Sequence, residues 1–495
     1  MNTATSSRTT HPDPRSDGML GGPIPLILTV LVCGWFVHDL PPVPDHASQF
    51  HMAQRMLEGA VLYSDVAASE MHPPLLTWLA ALLVIVGRAL AISGLDLMPV
   101  CVALSVATSL CLIWRVGPRS VWVLMVAAML LLPLSDAYFG QGEHLAVTWA
   151  LPYLFATADA GTELPRRLRI VVALMAALGL ALKPHFALVW VVAELYRARR
   201  HGWRSVFRLE GLLIGASFAG YLLIAAGVHP EYFHNLPWLA ALYPKYFPTP
   251  LTQIVRDARG ALLLAAVLLP FALRDSREWV AAARLLGLAG AAMYLAMLLQ
   301  QKGWGYHWYP IVACSGLSLA ICVRRWAHRH AALAIPLVAS VTIMLASAQR
   351  LRVEHVLQKP PTELGPMLAL VQAHAGGRPI AALSRYIQAG FPLAAEAGVE
   401  WALPDACLWT LHVLQQMPQA ERRRWAWLER ASFERVWAAL EARRPALLIV
   451  ERETEAGPDM RRYFETDARY RRLFERAKII GSTPTYVVYA LHQPP

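Results

Sequence analysis

Long apolar runs, separated by short polar or basic breaks, are the feature that most constrains this chain. A helix needs roughly 20 apolar residues to cross about 30 Å of hydrocarbon, and many of these runs are long enough. Charged residues are only 16% of the chain, whereas about a quarter is usual in soluble domains. The pattern therefore predicts an α-helical polytopic membrane protein with about eleven spans. These spans are expected to begin near Leu20, Leu97, Val121, His144, Ile170, Phe186, Gly211, Gly260, Arg284, Trp308 and Ala331.

The basic residues decide the predicted orientation, once the run from Pro73 to Ser93 is interpreted. That run begins with Pro73-Pro74 and carries Arg88, so we interpret it as an interfacial or re-entrant helix. The basic clusters between the spans then all fall on one side, which the positive-inside rule assigns to the cytoplasm. A nucleic-acid partner is not favoured by the net charge of +11, because the Lys and Arg residues lie in these short loops.

The composition changes sharply near residue 349, where a charged tail without long apolar runs begins. We therefore divide the chain into a cytoplasmic segment (1–19), a transmembrane region (20–348) and a small periplasmic α/β domain (349–495). Alternating short apolar runs predict strands, and longer amphipathic patterns predict helices. The expected strands are Pro379–Leu383, Ala446–Val450 and Thr485–Leu491, and the expected helices are Ala420–Arg444 and Met460–Lys478.

With this orientation, ionisable and aromatic residues beside the apolar runs collect on the outer face. Ionisable groups at a membrane boundary are costly to desolvate, so they mark a functional site or a buried pair. Each residue also has a simpler structural explanation, since an acid can cap a helix and a lysine can extend toward lipid headgroups. Loops far apart in sequence contribute to one face, and this convergence favours a site. The candidates are Asp45, His46, Tyr63, Asp65, His72, Glu143, His144, Lys183, Lys302, Tyr306 and His307.

Several motifs follow the first predicted span in a specific order. An acid, Asp45, precedes the helical pattern Ala-Xaa-Xaa-Met-Leu-Xaa-Gly at residues 53–59, then Leu62-Tyr63-Ser64-Asp65 and His72-Pro73-Pro74-Leu75. In these motifs the chain resembles the glycosyltransferase C superfamily, in particular bacterial relatives of the dolichyl-phosphate-mannose protein mannosyltransferases and the lipid A aminoarabinose transferases. Looser matches at Gln141–His144, Lys183-Pro184, Lys302 and Tyr306–Pro310 extend the resemblance over roughly residues 20 to 345. One departure is Gln-Gly-Glu-His at 141–144, where relatives often carry an Arg-Xaa-Asp-like element.

The resemblance implies a hexosyl- or pentosyltransferase that takes sugar from a polyprenyl-phosphate donor. The acceptor would be a hydroxyl of an envelope glycan, lipid or protein at the periplasmic face of a bacterial inner membrane. Asp45 is the expected base, and Glu143 or Asp65 would stabilise positive charge on the sugar ring. The donor phosphate is expected to meet Lys183, Lys302, His307 or Tyr306, and the sugar or acceptor to meet His46, Tyr63, His72 or His144.

No Asp-Xaa-Asp motif lies near Asp45, so the sequence establishes no cofactor and leaves a divalent metal open. Membrane lipids are expected partners of the spans. Three other functions stay open: a transporter or flippase of lipid-linked sugars, a glycan polymerase or ligase, and a scaffold without catalysis. Transporters place charges near the bilayer midplane in broken helices, whereas here the charges gather at one predicted face.

Overall fold

The computed structural model describes residues 43–117, 119–135, 138–158, 164–273, 278–327, 363–453, 457 and 459–491. The predicted spans near Leu20 and Ala331 lie outside these residues. The helices of the first region, in chain order, are α1 (Pro44–Leu57), α2 (Leu75–Leu90), α3 (Gly94–Val116), α4 (Val121–Leu131), α5 (Gly142–Ala158), α6 (Arg166–Ala181), α7 (Ala187–His201), α8 (Leu209–Val228), α9 (Pro230–Leu242), α10 (Leu251–Arg256), α11 (Ala258–Ala272), α12 (Glu278–Gln300) and α13 (Gly305–Ala327). Short 3₁₀ helices at Pro184–Phe186, Trp203–Phe207 and Tyr243–Lys245 join some of them.

The described helices form a polytopic membrane fold. Within the described ranges, four helical segments are long and apolar enough to cross a membrane: Gly94–Val116, Leu209–Val228, Trp279–Gln300 and Gly305–Arg324. Large apolar side chains on the outside of the bundle, such as Leu104, Leu223 and Leu299, are more than half exposed. Such apolar surface is unfavourable in water and suits contact with lipid tails. The count of eleven spans stays a prediction, as does the interfacial position of α2, which is a 16-residue apolar helix.

Helix α5 lies at the centre of the bundle. Almost every side chain from Gly142 to Ala158 is buried, as expected for a helix that is apolar on all sides. It packs closely against α6, where Gly179 meets the backbone of Ala146 and the side chain of Trp149. Small residues allow this kind of close helix approach in membrane bundles. The position of α5 matters for the site, because its first turn carries Glu143.

The C-terminal part forms the expected α/β domain. Its helices are α14 (Leu364–His374), α15 (Leu393–Glu396), α16 (Trp409–Gln416), α17 (Gln419–Arg424), α18 (Ala426–Arg443), α19 (Met460–Phe464) and α20 (Ala468–Arg476). The strands β1 (Ile380–Leu383), β2 (Leu447–Glu451), β3 (Lys478–Ser482) and β4 (Tyr486–Ala490) form one sheet in the order β1-β2-β4-β3. β1 and β2 are parallel, and the other pairs are antiparallel. The central strand β2 is wholly buried, which explains its unbroken apolar sequence.

The sequence located three of these strands but misjudged the helices between them. The expected helix Ala420–Arg444 is interrupted at Trp425, and the expected helix Met460–Lys478 is divided into α19 and α20. The second break has a local cause, because Asp467 accepts a hydrogen bond from the Arg469 amide at 2.8 Å and starts a new helix. Lys478, expected to end a helix, instead begins β3.

The α/β domain docks on the loops of the membrane region. The backbone N–H and the Oγ of Ser69 both donate to Oδ1 of Asp405, at 2.9 and 2.8 Å. Phe247, from the loop after α9, lies between Tyr386 and His412 of the domain, with ring centroids 5.5 and 4.5 Å away. These contacts hold the domain over the end of the bundle that carries Asp45. Ala47, two residues after Asp45, belongs to the apolar core cluster of the domain.

Close packing of α5 against α6 gives a stability prediction. A Cβ at Gly179 would lie 2.9 Å from the Trp149 Cβ, whereas a Cβ at Gly220 of α8 would meet nothing within 4 Å. We expect Gly179→Val to destabilise the protein by about 1–3 kcal/mol through overpacking, and Gly220→Val to have little effect. Thermal unfolding of the purified variants in detergent measures both. Equal unfolding temperatures for the two variants would contradict this account of the α5–α6 contact.

Candidate active site

Asp45 lies in the first turn of α1, where Pro44 and an acidic residue both favour helix initiation. Gln141, from the loop before α5, points its Nε2 at Asp45 Oδ2 at a distance of 3.4 Å. The carboxylate is surrounded by protein yet keeps an exposed surface, as a group that must reach a substrate requires. Two segments nearly one hundred residues apart therefore meet at this acid.

The electrostatic surroundings of Asp45 contain both signs of charge. Burial raises the pKa of Asp45, and the charges of His72 and Lys183 oppose this rise without reversing it. The carboxylates of Glu70 and Glu143 raise it further. A carboxylate with a raised pKa is a stronger base, which suits acceptance of a proton from a hydroxyl. The structure thus brings together two acids, a lysine and a histidine from separate loops around one candidate base.

Lys183 and Glu143 form a buried ion pair. Nζ of Lys183 lies 2.5 Å from Oε1 of Glu143, and the two side chains are 10% and 2% exposed. The lysine is placed by the break between α6 and the 3₁₀ helix that starts at Pro184, and Glu143 by the start of α5. The Lys183 ammonium also lies 5.2 Å from the centroid of the Tyr306 ring. The charge of Lys183 is therefore largely compensated within the protein.

His72 is held by Glu70 in a two-point contact. Oε1 of Glu70 lies 2.6 Å from Nδ1 of His72 and accepts the His72 backbone N–H at 2.9 Å. Burial raises the pKa of Glu70, but the interactions with His72 outweigh it and hold that pKa below its usual value. Tyr63 is buried and donates its hydroxyl to the His72 carbonyl at 2.8 Å. Tyr63 and Glu70 thus position His72, whose charge acts on Asp45.

Lys302 occupies an aromatic cage between α12 and α13. Its Nζ lies 4.5, 5.0 and 5.6 Å from the ring centroids of Tyr243, Trp304 and Tyr246. The ammonium donates a hydrogen bond to the Tyr246 carbonyl oxygen. Burial lowers the pKa of Lys302 to about 8. Among the described residues, Lys302 makes no ion pair with a carboxylate, in contrast to Lys183.

His307 and Tyr306 begin α13 between these two lysines. The Tyr306 ring lies 4.3 Å from that of His307, and Nδ1 of His307 has no hydrogen-bond partner. Below them a small cavity is lined by Glu143, His185, Phe186, Met293, Ala296, Met297, Gln300, His307 and Pro310. This cavity connects the Glu143 end of α5 with α12 and α13.

Two of the histidines contact the loop before α5. His144 accepts the Gly140 N–H at Nδ1, at 3.1 Å, and its Nε2 lies 2.7 Å from the Leu131 carbonyl. Gly140 has φ +83° and packs against Val102 and His46, so a side chain there would be strained. His46 also lies against Gly140, and burial lowers the pKa of His46 to about 4. Both ring nitrogens of His144 are therefore used in holding the loop that presents Gln141.

Asp65 lies in a tight turn. Its Oδ2 accepts the Val61 N–H at 2.9 Å, and its side chain is exposed. It is not among the charged groups that act most strongly on Asp45. This geometry gives Asp65 a structural contact in the turn, whereas Glu143 reaches the centre of the cluster.

Sequence reasoning did not select several residues that the structure brings to the site. Gln141 lies in the motif at residues 141–144, which was noted for its acid and histidine. Glu70 lies two residues before the motif that begins at His72. Tyr243, Tyr246 and Trp304 build the Lys302 cage, and their aromatic character alone was not a signal because aromatic residues are common at membrane interfaces. Among the described residues, no group of three or more His, Cys, Asp or Glu side chains could hold a metal ion.

Comparisons with known proteins agree on the fold. No protein-family model matches the sequence, and no curated protein matches it by sequence. Two crystal structures of ArnT from Cupriavidus metallidurans are similar to this chain. The one bound to undecaprenyl phosphate has a TM-score of 0.57 at 12% identity, over 96% of this chain and 98% of that chain. The apo structure has a TM-score of 0.58 at 11% identity, over 94% of this chain and 97% of that chain.

The chain therefore has the fold of ArnT. This confirms the fold class predicted from the sequence, a polytopic helical membrane protein with a small α/β domain. The apolar helices, the helices between them and the small α/β domain are parts of one architecture, since the similarity extends over nearly the whole of both chains.

The contacts of His144 suggest an experiment that distinguishes a structural role of this residue from a role in sugar binding. We expect His144→Phe to leave the Gly140 N–H without a partner, at a cost of about 1–3 kcal/mol for that buried group, and to leave the Leu131 carbonyl with only the Ser135 hydroxyl. A matched control is His374→Phe at the exposed end of α14, which should not change stability. Thermal unfolding in detergent is the measurement. An unchanged unfolding temperature together with lost donor binding would instead favour the sugar-binding role.

Proposed function

We propose that this chain is a membrane glycosyltransferase that moves a sugar from a polyprenyl-phosphate donor to an acceptor hydroxyl. The observation that carries the proposal is the convergence of Asp45, Glu143 and Lys183 at one end of a bundle with the ArnT fold. Undecaprenyl phosphate is bound in one of the ArnT structures, which supports a polyprenyl-phosphate donor here. The positive-inside argument assigns this end to the periplasmic face of the inner membrane.

Asp45 is the proposed base. Its raised pKa and its exposed surface suit removal of a proton from the acceptor hydroxyl as the oxygen attacks the sugar. Attack on the side opposite the phosphate would invert the anomeric carbon. Gln141 would orient the carboxylate through its contact with Oδ2, and the His72–Glu70 pair would adjust its charge environment. In this proposal His46 and His144 hold the loop that carries Gln141.

The departing phosphate needs positive charge that the protein has not already neutralised. Lys183 is paired with Glu143, whereas Lys302 has only a carbonyl oxygen and aromatic rings around it. A preorganised cation in a poorly hydrated site stabilises developing negative charge strongly. We therefore assign the phosphate interaction to Lys302, with His307 at the edge of the connecting cavity as its neighbour. Glu143, although paired with Lys183, would face the positive charge that develops on the sugar ring.

The acceptor is proposed as an envelope glycan, lipid or protein, with the α/β domain placed over the site to receive it. Lys302 bonds the Tyr246 carbonyl, and the Tyr246 hydroxyl donates to the Arg385 carbonyl of the domain at 3.1 Å. The domain therefore lies one residue away from the proposed phosphate-binding cation. A rigid connection of this kind would keep the acceptor-binding and donor-binding parts of the site at a fixed distance and orientation.

The first test is Asp45→Asn. We expect it to abolish sugar transfer, a loss of at least about a hundredfold, because the amide cannot accept the hydroxyl proton. The matched control is Asp96→Asn, which changes an exposed acid in the first turn of α3 and should keep full activity. Transfer from a radiolabelled polyprenyl-phosphate sugar by the purified protein in proteoliposomes is the measurement. Full transfer by Asp45→Asn, or transport of the donor without transfer by the wild type, would contradict the proposal.

The second test concerns Lys302. We expect Lys302→Met to weaken donor-lipid affinity by about tenfold or more, because a charge-assisted interaction is lost. In the wild type the affinity should fall as the pH rises through about 8, where the ammonium loses its proton, and Lys302→Met should lack that step. The control is Lys245→Met, which removes an exposed lysine that is paired with Glu421 and is not one of the three cage residues. Equal affinities for Lys302→Met and the wild type would remove the phosphate role.

A further inference from the structure

A second group of buried charges lies at the opposite end of the helices that carry the candidate site. We call it the distal charge cluster, and it contains Tyr153 and Thr157 of α5, Glu194 and Arg197 of α7, and Arg208 just before α8. At 1.5 Å per helical residue, Thr157 lies about 20 Å along α5 from Glu143. The distal charge cluster is thus separate from the candidate active site, and neither donor nor acceptor chemistry explains it.

The distal charge cluster is a connected network. Tyr153 donates its hydroxyl to Glu194 Oε1 at 2.5 Å, and Arg208 Nη2 donates to the same oxygen at 3.3 Å and to Thr157 Oγ1 at 2.5 Å. Arg197 Nη1 donates to the Thr157 carbonyl at 3.4 Å. The side chains of Arg208 and Glu194 are 9% and 6% exposed. Charges this deep in an apolar bundle need compensation, because isolated buried charges are costly.

The compensation within the network is incomplete. Nε of Arg197, Nε of Arg208 and Oε2 of Glu194 have no hydrogen-bond partner. The neighbouring carboxylate, Glu210, is already bound by both nitrogens of Arg169, each at 2.8 Å. Among the described residues, the two carboxylates of this region therefore face three guanidinium groups, those of Arg169, Arg197 and Arg208. The network keeps an excess of positive charge that a bound anion would balance.

The surface beside the distal charge cluster combines cations with bare aromatic rings. Arg200 is exposed and follows Arg197 by one turn of α7, and the 3₁₀ helix Trp203–Phe207 comes next. Trp203 and Phe207 are 70% and 72% exposed, the ends of a segment with no buried residue. Aromatic side chains at headgroup depth, next to basic residues, are typical of contact with anionic membrane lipids.

We propose that this corner is a binding site for an anionic phospholipid of the phosphatidylglycerol type. The phosphate would lie at the outer edge of the distal charge cluster, on the partly buried Arg197 and the exposed Arg200, which supply planar N–H donors. The acyl chains would cover Trp203 and Phe207. A soluble anion could satisfy the guanidinium groups but not these rings, and a zwitterionic lipid would not remove the excess charge. By the positive-inside argument this is a lipid of the cytoplasmic leaflet.

Native mass spectrometry of the delipidated full-length protein tests the site with defined lipids. We expect phosphatidylglycerol to be retained about tenfold more tightly than phosphatidylcholine or phosphatidylethanolamine of the same chain length. The double variant Arg197→Gln/Arg200→Gln should lose this preference. Its matched control is Arg166→Gln/Arg167→Gln, which removes the same charge from exposed positions at the start of α6 and should keep the preference.

A second variant keeps every charge and tests the apolar part. Trp203→Ala/Phe207→Ala changes two exposed rings, so folding should be unaffected while phosphatidylglycerol retention falls severalfold. If the arginine variant fails to fold, this variant decides the question. Equal retention of the three lipids by the wild type, or an equal loss in the Arg166/Arg167 control, would overturn the site. Thermal protection by inorganic phosphate as large as that by phosphatidylglycerol would overturn the assignment to a lipid.

Discussion

The requirement that every charge inside the bundle be compensated organises this protein. The central helix α5 is apolar along its length, and it begins with Glu143, which is almost completely buried. An unpaired carboxylate there would be prohibitively costly, so its pairing with Lys183 joins the start of α5 to the break after α6. That single contact places the loop before α5 beside α1. The position of Asp45 against Gln141 depends on it.

At the end of the bundle that carries the candidate site, buried charge is stabilised in two different ways. Around Asp45, acids and cations from different loops act in opposite directions on its pKa, and burial keeps that pKa raised. Around Lys302, aromatic faces and one carbonyl oxygen replace a carboxylate, and the charge stays available. Cation–π contacts stabilise an ammonium without neutralising it. A base with a raised pKa and an unneutralised cation at the same end of the bundle suit a reaction in which a proton leaves one group and a phosphate departs toward another.

The α/β domain is part of this arrangement because its contacts reach the cage directly. Phe247 has a left-handed backbone with φ +42°, a conformation that costs energy in a residue with a side chain. Its ring is held between Tyr386 and His412 of the domain. The docking contacts therefore stabilise the conformation of the loop whose preceding residue, Tyr246, accepts the hydrogen bond of Lys302. Loss of the domain would remove the contact that supports Tyr246 of the cage as well as the cover of the site.

The sequence alone predicted the membrane class, a small C-terminal α/β domain, three strands of its sheet, and a set of loop residues that could carry chemistry. These follow from local properties: apolar length, alternation of apolar residues, and charge near a boundary. The tertiary structure alone decided the roles within the set, because a role depends on partners far away in the chain. In the structure, Lys183 is paired with Glu143, and both ring nitrogens of His144 bind backbone groups. Asp65 has a contact within its turn, and Tyr243, Tyr246 and Trp304 form the cage around Lys302. The sequence also did not predict the helix breaks at Trp425 and Asp467 or the strand that begins at Lys478. The helical pattern of the sequence continues across these positions, and only packing of the domain makes a helix end favourable there.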